Sequence, residues 1–73
     1  MYIESVSFGK GDILASGSGD NTIRIWNMTY GELIRFQGGH IFSVTSVAFG
    51  KGDILASGSG DATIKIWDVS MVN

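Results

Sequence analysis

The chain reads SVAFGKGDILASGSGD at residues 46–61 and almost the same string, SVSFGKGDILASGSGD, at residues 5–20. The match extends to Trp26 and Trp67, so that 19 of the 22 positions in 5–26 are identical in 46–67. The three differences are Ser7 to Ala48, Asn21 to Ala62 and Arg24 to Lys65. Since position 5 corresponds to position 46, the period is 41 residues. A repeat of this length predicts stacked copies of one supersecondary unit.

Each unit contains short runs of alternating apolar and polar residues, rich in β-branched and aromatic side chains and separated by glycines. This pattern predicts strands joined by tight turns. We expect seven strands, at residues 3–8, 13–17, 22–26, 32–36, 44–49, 54–58 and 63–67. Almost all of the 11 glycines fall in the turns, where positive φ or close backbone approach is needed. The predicted fold class is therefore all-β, with antiparallel sheets of up to four strands.

The small size of the chain makes independent stability difficult. A single core in a chain of 73 residues seldom supplies more than about 3–5 kcal/mol without a disulfide, a metal or a partner. There is no cysteine, which excludes disulfides and thiolate zinc sites. Oligomerisation remains as the expected source of stability.

Charge and hydropathy exclude two classes of partner. The net charge is −2 and no basic run is present, so we expect no nucleic acid partner. No apolar run approaches the roughly 18–20 residues of a membrane helix, and the N-terminus does not read as a signal peptide. These features predict a cytoplasmic protein that does not bind a membrane.

The second unit resembles a WD-repeat β-propeller blade. The family's signatures are all present in it: Gly39-His40, the segment 55–59 (LASGS), Asp61 in a turn and Ile66-Trp67-Asp68. The first unit matches from position 5 onward and ends Ile25-Trp26-Asn27, with Asn in place of the terminal Asp. The resemblance implies two blades, at 1–37 and 38–73. The first lacks the preceding Gly-His pair and the second is expected to lack its outermost strand.

The resemblance also implies a structural hydrogen-bonded tetrad in each blade. In the second blade it would run from Trp67 to Ser57, His40 and Asp61. In the first blade Ser16, Asp20 and Trp26 match, but the position of the histidine falls before Met1. We therefore expect an incomplete tetrad there.

Several residues are of types that occur in catalytic or ligand-binding sites. Ser57, His40 and Asp61 have the residue types of a hydrolase triad, but the other unit repeats the Ser and the Asp without a His. His40 has no second ligand nearby in sequence to complete a metal site. The Gly-Lys-Gly turns do not follow a phosphate-binding pattern. We therefore predict a protein that is not an enzyme and has no metal and no cofactor.

A blade exposes two apolar faces, so blades are expected to stack until a ring closes, and two units cannot do this alone. Three chains would give six blades and four would give eight, and we favour four. By resemblance, the ring would bind a protein or peptide through the loop residues Asn21, Ile41, Phe42, Ser43 and Ala62. Packing at the blade junction is an equally good interpretation of Ile41 and Phe42. The alternative function is a purely structural self-assembling unit, designed or fragmentary, with no partner of its own.

Overall fold

The computed structural model describes residues 2–69, except for the side chains of residues 36 and 37. In this range the chain forms seven strands: β1 (Ile3–Phe8), β2 (Ile13–Ser18), β3 (Ile23–Asn27), β4 (Glu32–Gln37), β5 (Val44–Phe49), β6 (Ile54–Ser59) and β7 (Ile64–Asp68). They form two antiparallel sheets with the strand orders β1-β2-β3-β4 and β5-β6-β7. No helix occurs in the described residues. The predicted all-β fold with sheets of up to four strands is confirmed.

The strand bounds agree with the sequence analysis to within one residue. β1 and β5 have the predicted bounds, whereas β3 and β7 begin one residue later, after Thr22 and Thr63. In the second sheet the Thr63 N–H donates to the Asp61 carboxylate at 3.0 Å, so this group belongs to the turn. The expected lack of an outermost strand in the second unit concerns the residues after Val69, which lie outside the described residues.

Two turns adopt a left-handed conformation at residues other than glycine. Asn21, between β2 and β3, has a φ of 74°, and Ala62, between β6 and β7, has a φ of 68°. The two turns share one hydrogen-bonding pattern, since both N–H groups donate at 3.2 Å to the carbonyl three residues earlier. Asparagine tolerates this conformation, but alanine pays a steric cost because its Cβ approaches the backbone.

The strand register places the same kinds of side chain on the same face of each sheet. We name one side the isoleucine face, formed by Ala15, Ile23 and Ile25 in the first sheet and by Ala56, Ile64 and Ile66 in the second. We name the opposite side the phenylalanine face, formed by Ile3, Val6 and Phe8 in the first sheet and by Val44, Val47 and Phe49 in the second.

The hydrophobic core lies between the two sheets. The isoleucine face of the first sheet packs against the phenylalanine face of the second, and the buried residues are Ala15, Ile23, Ile25, Val44, Val47, Leu55 and Val69. β1 and β5 are the first edge strands of the two sheets, and they lie next to each other. We refer to them as the innermost strands. Gly17 permits this close packing, because a Cβ there would lie only 2.7 Å from Val44 Cγ1. The fold is thus held together by one sheet covering one face of the other.

Candidate functional site

Four side chains of the second sheet and its loops form a continuous hydrogen-bonded network. The Trp67 indole N–H donates to Ser57 Oγ at 2.9 Å, and Ser57 Oγ lies 2.7 Å from His40 Nε2. His40 Nδ1 lies 3.1 Å from Asp61 Oδ2. Since Ser57 accepts from Trp67, its hydroxyl can donate to Nε2, and the Nδ1–H group then donates to Asp61. This tautomer satisfies the donors and acceptors that link the four side chains. The structure thus brings together all four residues that the resemblance implied.

The Asp61 carboxylate is surrounded by hydrogen-bond donors. The Thr63 hydroxyl donates to it, and the Ile41 N–H does so at 3.1 Å. These donors, together with His40, outweigh desolvation and hold the pKa of Asp61 well below its usual range. The network therefore ties the loop before β5 to the β6–β7 turn.

The first sheet has a different arrangement, because the single histidine of the chain belongs to the second. The Trp26 indole N–H donates to Ser16 Oγ at 3.0 Å, as in the other sheet. The Arg24 guanidinium donates to Asp20 Oδ2 at 3.0 Å and to Thr22 Oγ1 at 3.0 Å. The Thr22 hydroxyl and Arg24 hold the pKa of Asp20 well below its usual range. Arg24, which is replaced by lysine in the second sheet, thus supplies a donor to Asp20 where His40 supplies one to Asp61.

The segments before β1 and β5 meet the β2–β3 and β6–β7 turns along one edge of the molecule. The Gly19 N–H donates to the Tyr2 carbonyl at 2.7 Å, and the Gly60 N–H donates to the Ser43 carbonyl at 3.2 Å. We name this edge the loop rim, formed by Tyr2, Asn21, Ile41, Phe42, Ser43 and Ala62. All five loop residues selected from the sequence lie on it.

The apolar side chains of the loop rim face solvent. Ile41 is 74% exposed and Phe42 is 57% exposed, so neither is buried at the junction between the sheets. Ser43 does reach across that junction, since its hydroxyl donates to the Gly19 carbonyl at 3.5 Å. Asn21 is half-buried and Ala62 is exposed.

The two isoleucine faces differ sharply in exposure although their sequences match. Ile23 and Ile25 are 1% and 0% exposed, whereas the corresponding Ile64 and Ile66 are 76% and 64% exposed. The difference arises because the first face is covered by the second sheet. The isoleucine face of the second sheet has no such cover among residues 2–69.

The two phenylalanine faces show the opposite difference. Val47 is 6% exposed, whereas the corresponding Val6 is 54% exposed. Phe49 is half-buried and Phe8 is largely exposed. The first sheet thus presents an uncovered phenylalanine face, and the described part of the chain carries one uncovered face of each kind.

Two glycines of the first sheet lie where side chains of the second sheet pack against it. A Cβ at Gly9 would lie 2.9 Å from the Phe49 ring, so that ring packs directly on the glycine. The corresponding Gly50 has open space, with its nearest neighbouring atom at 3.8 Å. Gly17, against Val44, and the open Gly58 form a second such pair. The uncovered isoleucine face therefore has the same recesses as the covered one.

Several residues that form hydrogen bonds in the loop rim or between the two sheets were not predicted from the sequence. Tyr2 corresponds to Ser43 by the 41-residue offset, and this alignment could have placed it on the loop rim. Ser5 and Ser7 accept hydrogen bonds from β5, and Arg24 bonds Asp20. The Ser7 and Arg24 substitutions were visible in the repeat, but their roles required the packing of the two sheets.

Two other kinds of site are missing from the part of the chain that the structure describes. Within residues 2–69, no group of three or more His, Cys, Asp or Glu could hold a metal ion. Across the same part of the chain, no helix has the length and apolar character to span a membrane.

The two antiparallel sheets are stacked face to face with β1 beside β5, and the second sheet carries the Trp-Ser-His-Asp network. These features define a pair of β-propeller blades. We therefore refer to β1–β4 as the first blade and β5–β7 as the second blade. The family model for the WD domain, G-beta repeat, matches residues 3–27 and 31–68. The chain belongs to the WD40 family. A search of curated proteins found no match.

Solved structures show the same fold. The computationally designed Ika4 protein is 37% identical with a TM-score of 0.84, and the match covers 97% of this chain and 43% of that one. The designed Ika8 protein has the same identity and TM-score, with 22% of its chain covered. The WD40 repeats of RRP9 are 29% identical with a TM-score of 0.89, covering 97% of this chain and 22% of that one. The chain therefore spans less than half the length of these structures.

Proposed function

We propose that this chain is a two-blade unit whose copies join head to tail into a closed propeller that acts as a non-catalytic scaffold. The observation that carries the proposal is that the uncovered face of each blade has nearly the same residues as the covered face of the other blade. The residues of the second blade that lack cover, Ile64 and Ile66, correspond to Ile23 and Ile25, which are buried by the next blade. A second copy can supply the equivalent cover with its own uncovered phenylalanine face.

Elementary energetics favour this assembly. Fully burying an isoleucine side chain stabilises by about 1.5–3 kcal/mol, and each junction would cover Ile64 and Ile66 as well as the partner's Val6 and Phe8. The interface is heterologous, so rotation from copy to copy either closes a ring or continues as a filament. Three copies would complete six blades and four would complete eight, and we favour four.

The assembly can be tested by placing a charge on the uncovered isoleucine face. Ile66→Lys should shift the chain to 7.8 kDa in size-exclusion chromatography with light scattering, because the lysine would have to be desolvated at the junction. Tyr30→Lys is the matched control, since Tyr30 is as exposed but lies in the turn between β3 and β4. Equal masses for the two variants would contradict assembly through this face.

Ligand binding at the loop rim is the finer part of the proposal. The exposed Ile41 and Phe42 can anchor an apolar side chain of a protein or peptide, since apolar and aromatic anchors carry much of the energy of an interface. Peptides selected from a random library on the assembled protein should lose binding to the variant Ile41→Ser/Phe42→Ser and keep it with Tyr30→Ser. If no selected peptide distinguishes the two variants, the scaffold has no ligand at this rim.

A purely structural unit without a ligand is the alternative. It is supported by two structural neighbours that are computationally designed proteins and by the near identity of the two blades. In both versions the chain is not an enzyme. Ser57 is only 1% exposed and its oxygen accepts from Trp67, which supports a structural role for it instead of a nucleophilic one. A cytoplasmic location stays a prediction of the sequence.

A further inference from the structure

The junction inside the chain is joined by hydrogen bonds between its innermost strands. The Val47 N–H donates to Ser5 Oγ at 3.2 Å, and the Phe49 N–H donates to Ser7 Oγ at 3.1 Å. These two N–H groups lie on the edge of β5 that faces β1. Two serine hydroxyls of the first blade therefore satisfy backbone donors of the second, in addition to the apolar packing.

The repeat offset shows what the same junction would contain between two copies. Ser46 corresponds to Ser5, and Ala48 corresponds to Ser7. Both side chains are exposed in a single chain. If a second copy docks as the second blade docks on the first, its Val6 N–H faces Ser46 Oγ. Its Phe8 N–H faces the methyl group of Ala48, which cannot accept a hydrogen bond.

We infer that positions 46 and 48 set the register and the strength of the junction between copies, where β1 of the second copy lies along β5 of the first. This inference rests on the proposed head-to-tail assembly. Ser46 supplies the one side-chain acceptor that fixes the alignment of the two strands. Ala48 leaves a backbone donor buried without a partner, which weakens the junction between copies relative to the junction inside the chain. The assembly therefore separates between chains and not between the blades of one chain.

Two substitutions on one face of β5, at positions 46 and 48, should have opposite effects. Ala48→Ser restores the missing acceptor and should tighten association roughly five- to tenfold per junction. Ser46→Ala removes the remaining acceptor and should weaken association by a similar factor. Both positions are exposed in the single chain, so neither change should alter the circular dichroism spectrum of the blades. Tyr30→Ser, an exposed change in the turn between β3 and β4 and outside both faces, is the matched control and should leave association unchanged.

The experiment is a dilution series of the wild-type chain and the three variants, followed by analytical ultracentrifugation. Opposite shifts of the dissociation constant for Ala48→Ser and Ser46→Ala, with none for the control, establish the register. If the wild-type chain assembles and both variants match it, the register is wrong while the proposed assembly stands. If the wild-type chain is monomeric throughout, both the assembly and the register are contradicted.

Discussion

At the scale of single residues, Ala62 carries an identifiable backbone cost. It adopts a φ of 68°, and the equivalent turn in the first blade uses Asn21 with a φ of 74°. Ala62→Asn should therefore raise the free energy of unfolding by about 0.5–1 kcal/mol, and Asn21→Ala should lower it by a similar amount. Urea denaturation of the two variants checks this. A loss of stability in Ala62→Asn would show that the turn is not left-handed at this residue.

The carboxylates of Asp20 and Asp61 make stability depend on pH. Their pKa values are lowered in the folded chain, chiefly by the hydroxyls of Thr22 and Thr63. A group with a lowered folded pKa stabilises the fold above its unfolded value of about 4. That contribution is lost as the pH falls through the folded value. We expect the free energy of unfolding to decline progressively below about pH 4.

The variant Asp61→Asn separates the two carboxylates. It removes one titrating group, so the fall in stability from pH 5 to pH 2 should become shallower, with the remaining slope due largely to Asp20. Urea denaturation at several pH values provides the measurement. An unchanged slope would mean that the Asp61 carboxylate is not held by its donors in the folded chain.

The sequence predicted part of these residue roles and missed others for a physical reason. The tetrad residues could be selected because their types and spacing resemble a known family. The conformation of Ala62 could not, because the pattern assigned the left-handed turn positions to glycine. The donors around Asp20 were also missed, since Arg24 differs from Lys65 by a substitution that looks conservative until its geometry is seen.

At the scale of strands and sheets, matched glycines distinguish the covered face from the uncovered one. Gly17→Ala would place a Cβ 2.7 Å from Val44 Cγ1, whereas Gly58→Ala has no atom closer than 3.9 Å. We expect Gly17→Ala to destabilise the chain by about 1–3 kcal/mol because of overpacking. Gly58→Ala should leave the single chain intact and weaken its assembly. Thermal unfolding and light scattering on both variants test the two effects separately.

If Gly58→Ala assembles as well as the wild-type chain, no side chain packs on Gly58 in the assembly, and the faces do not join as proposed. If Gly17→Ala is as stable as the wild type, the two blades are not packed as closely as the structure shows.

The strands themselves were predicted to within one residue, because alternation and turn glycines depend only on local sequence. The exposure of each face was not predictable in this way. Ile23 and Ile64 stand in nearly identical sequence, yet one is buried and the other exposed. The difference depends only on which blade has a neighbour, and that is a property of the stacking order.

At the scale of the whole molecule, residues 2–69 leave two complementary apolar faces uncovered. One is formed by Ala56, Ile64 and Ile66, and the other by Ile3, Val6 and Phe8. Each has a counterpart in the chain that is already covered by a blade. The structure within one chain thus provides the template for the proposed contact between chains.

The most direct test is the solution mass of the unmodified chain, measured by light scattering over a wide range of concentrations. Closed rings of three or four copies should have a mass of three or four times 7.8 kDa at high concentration and should dissociate into single chains on dilution. A mass of 7.8 kDa at every concentration, in a chain that still unfolds cooperatively, would contradict the proposed assembly.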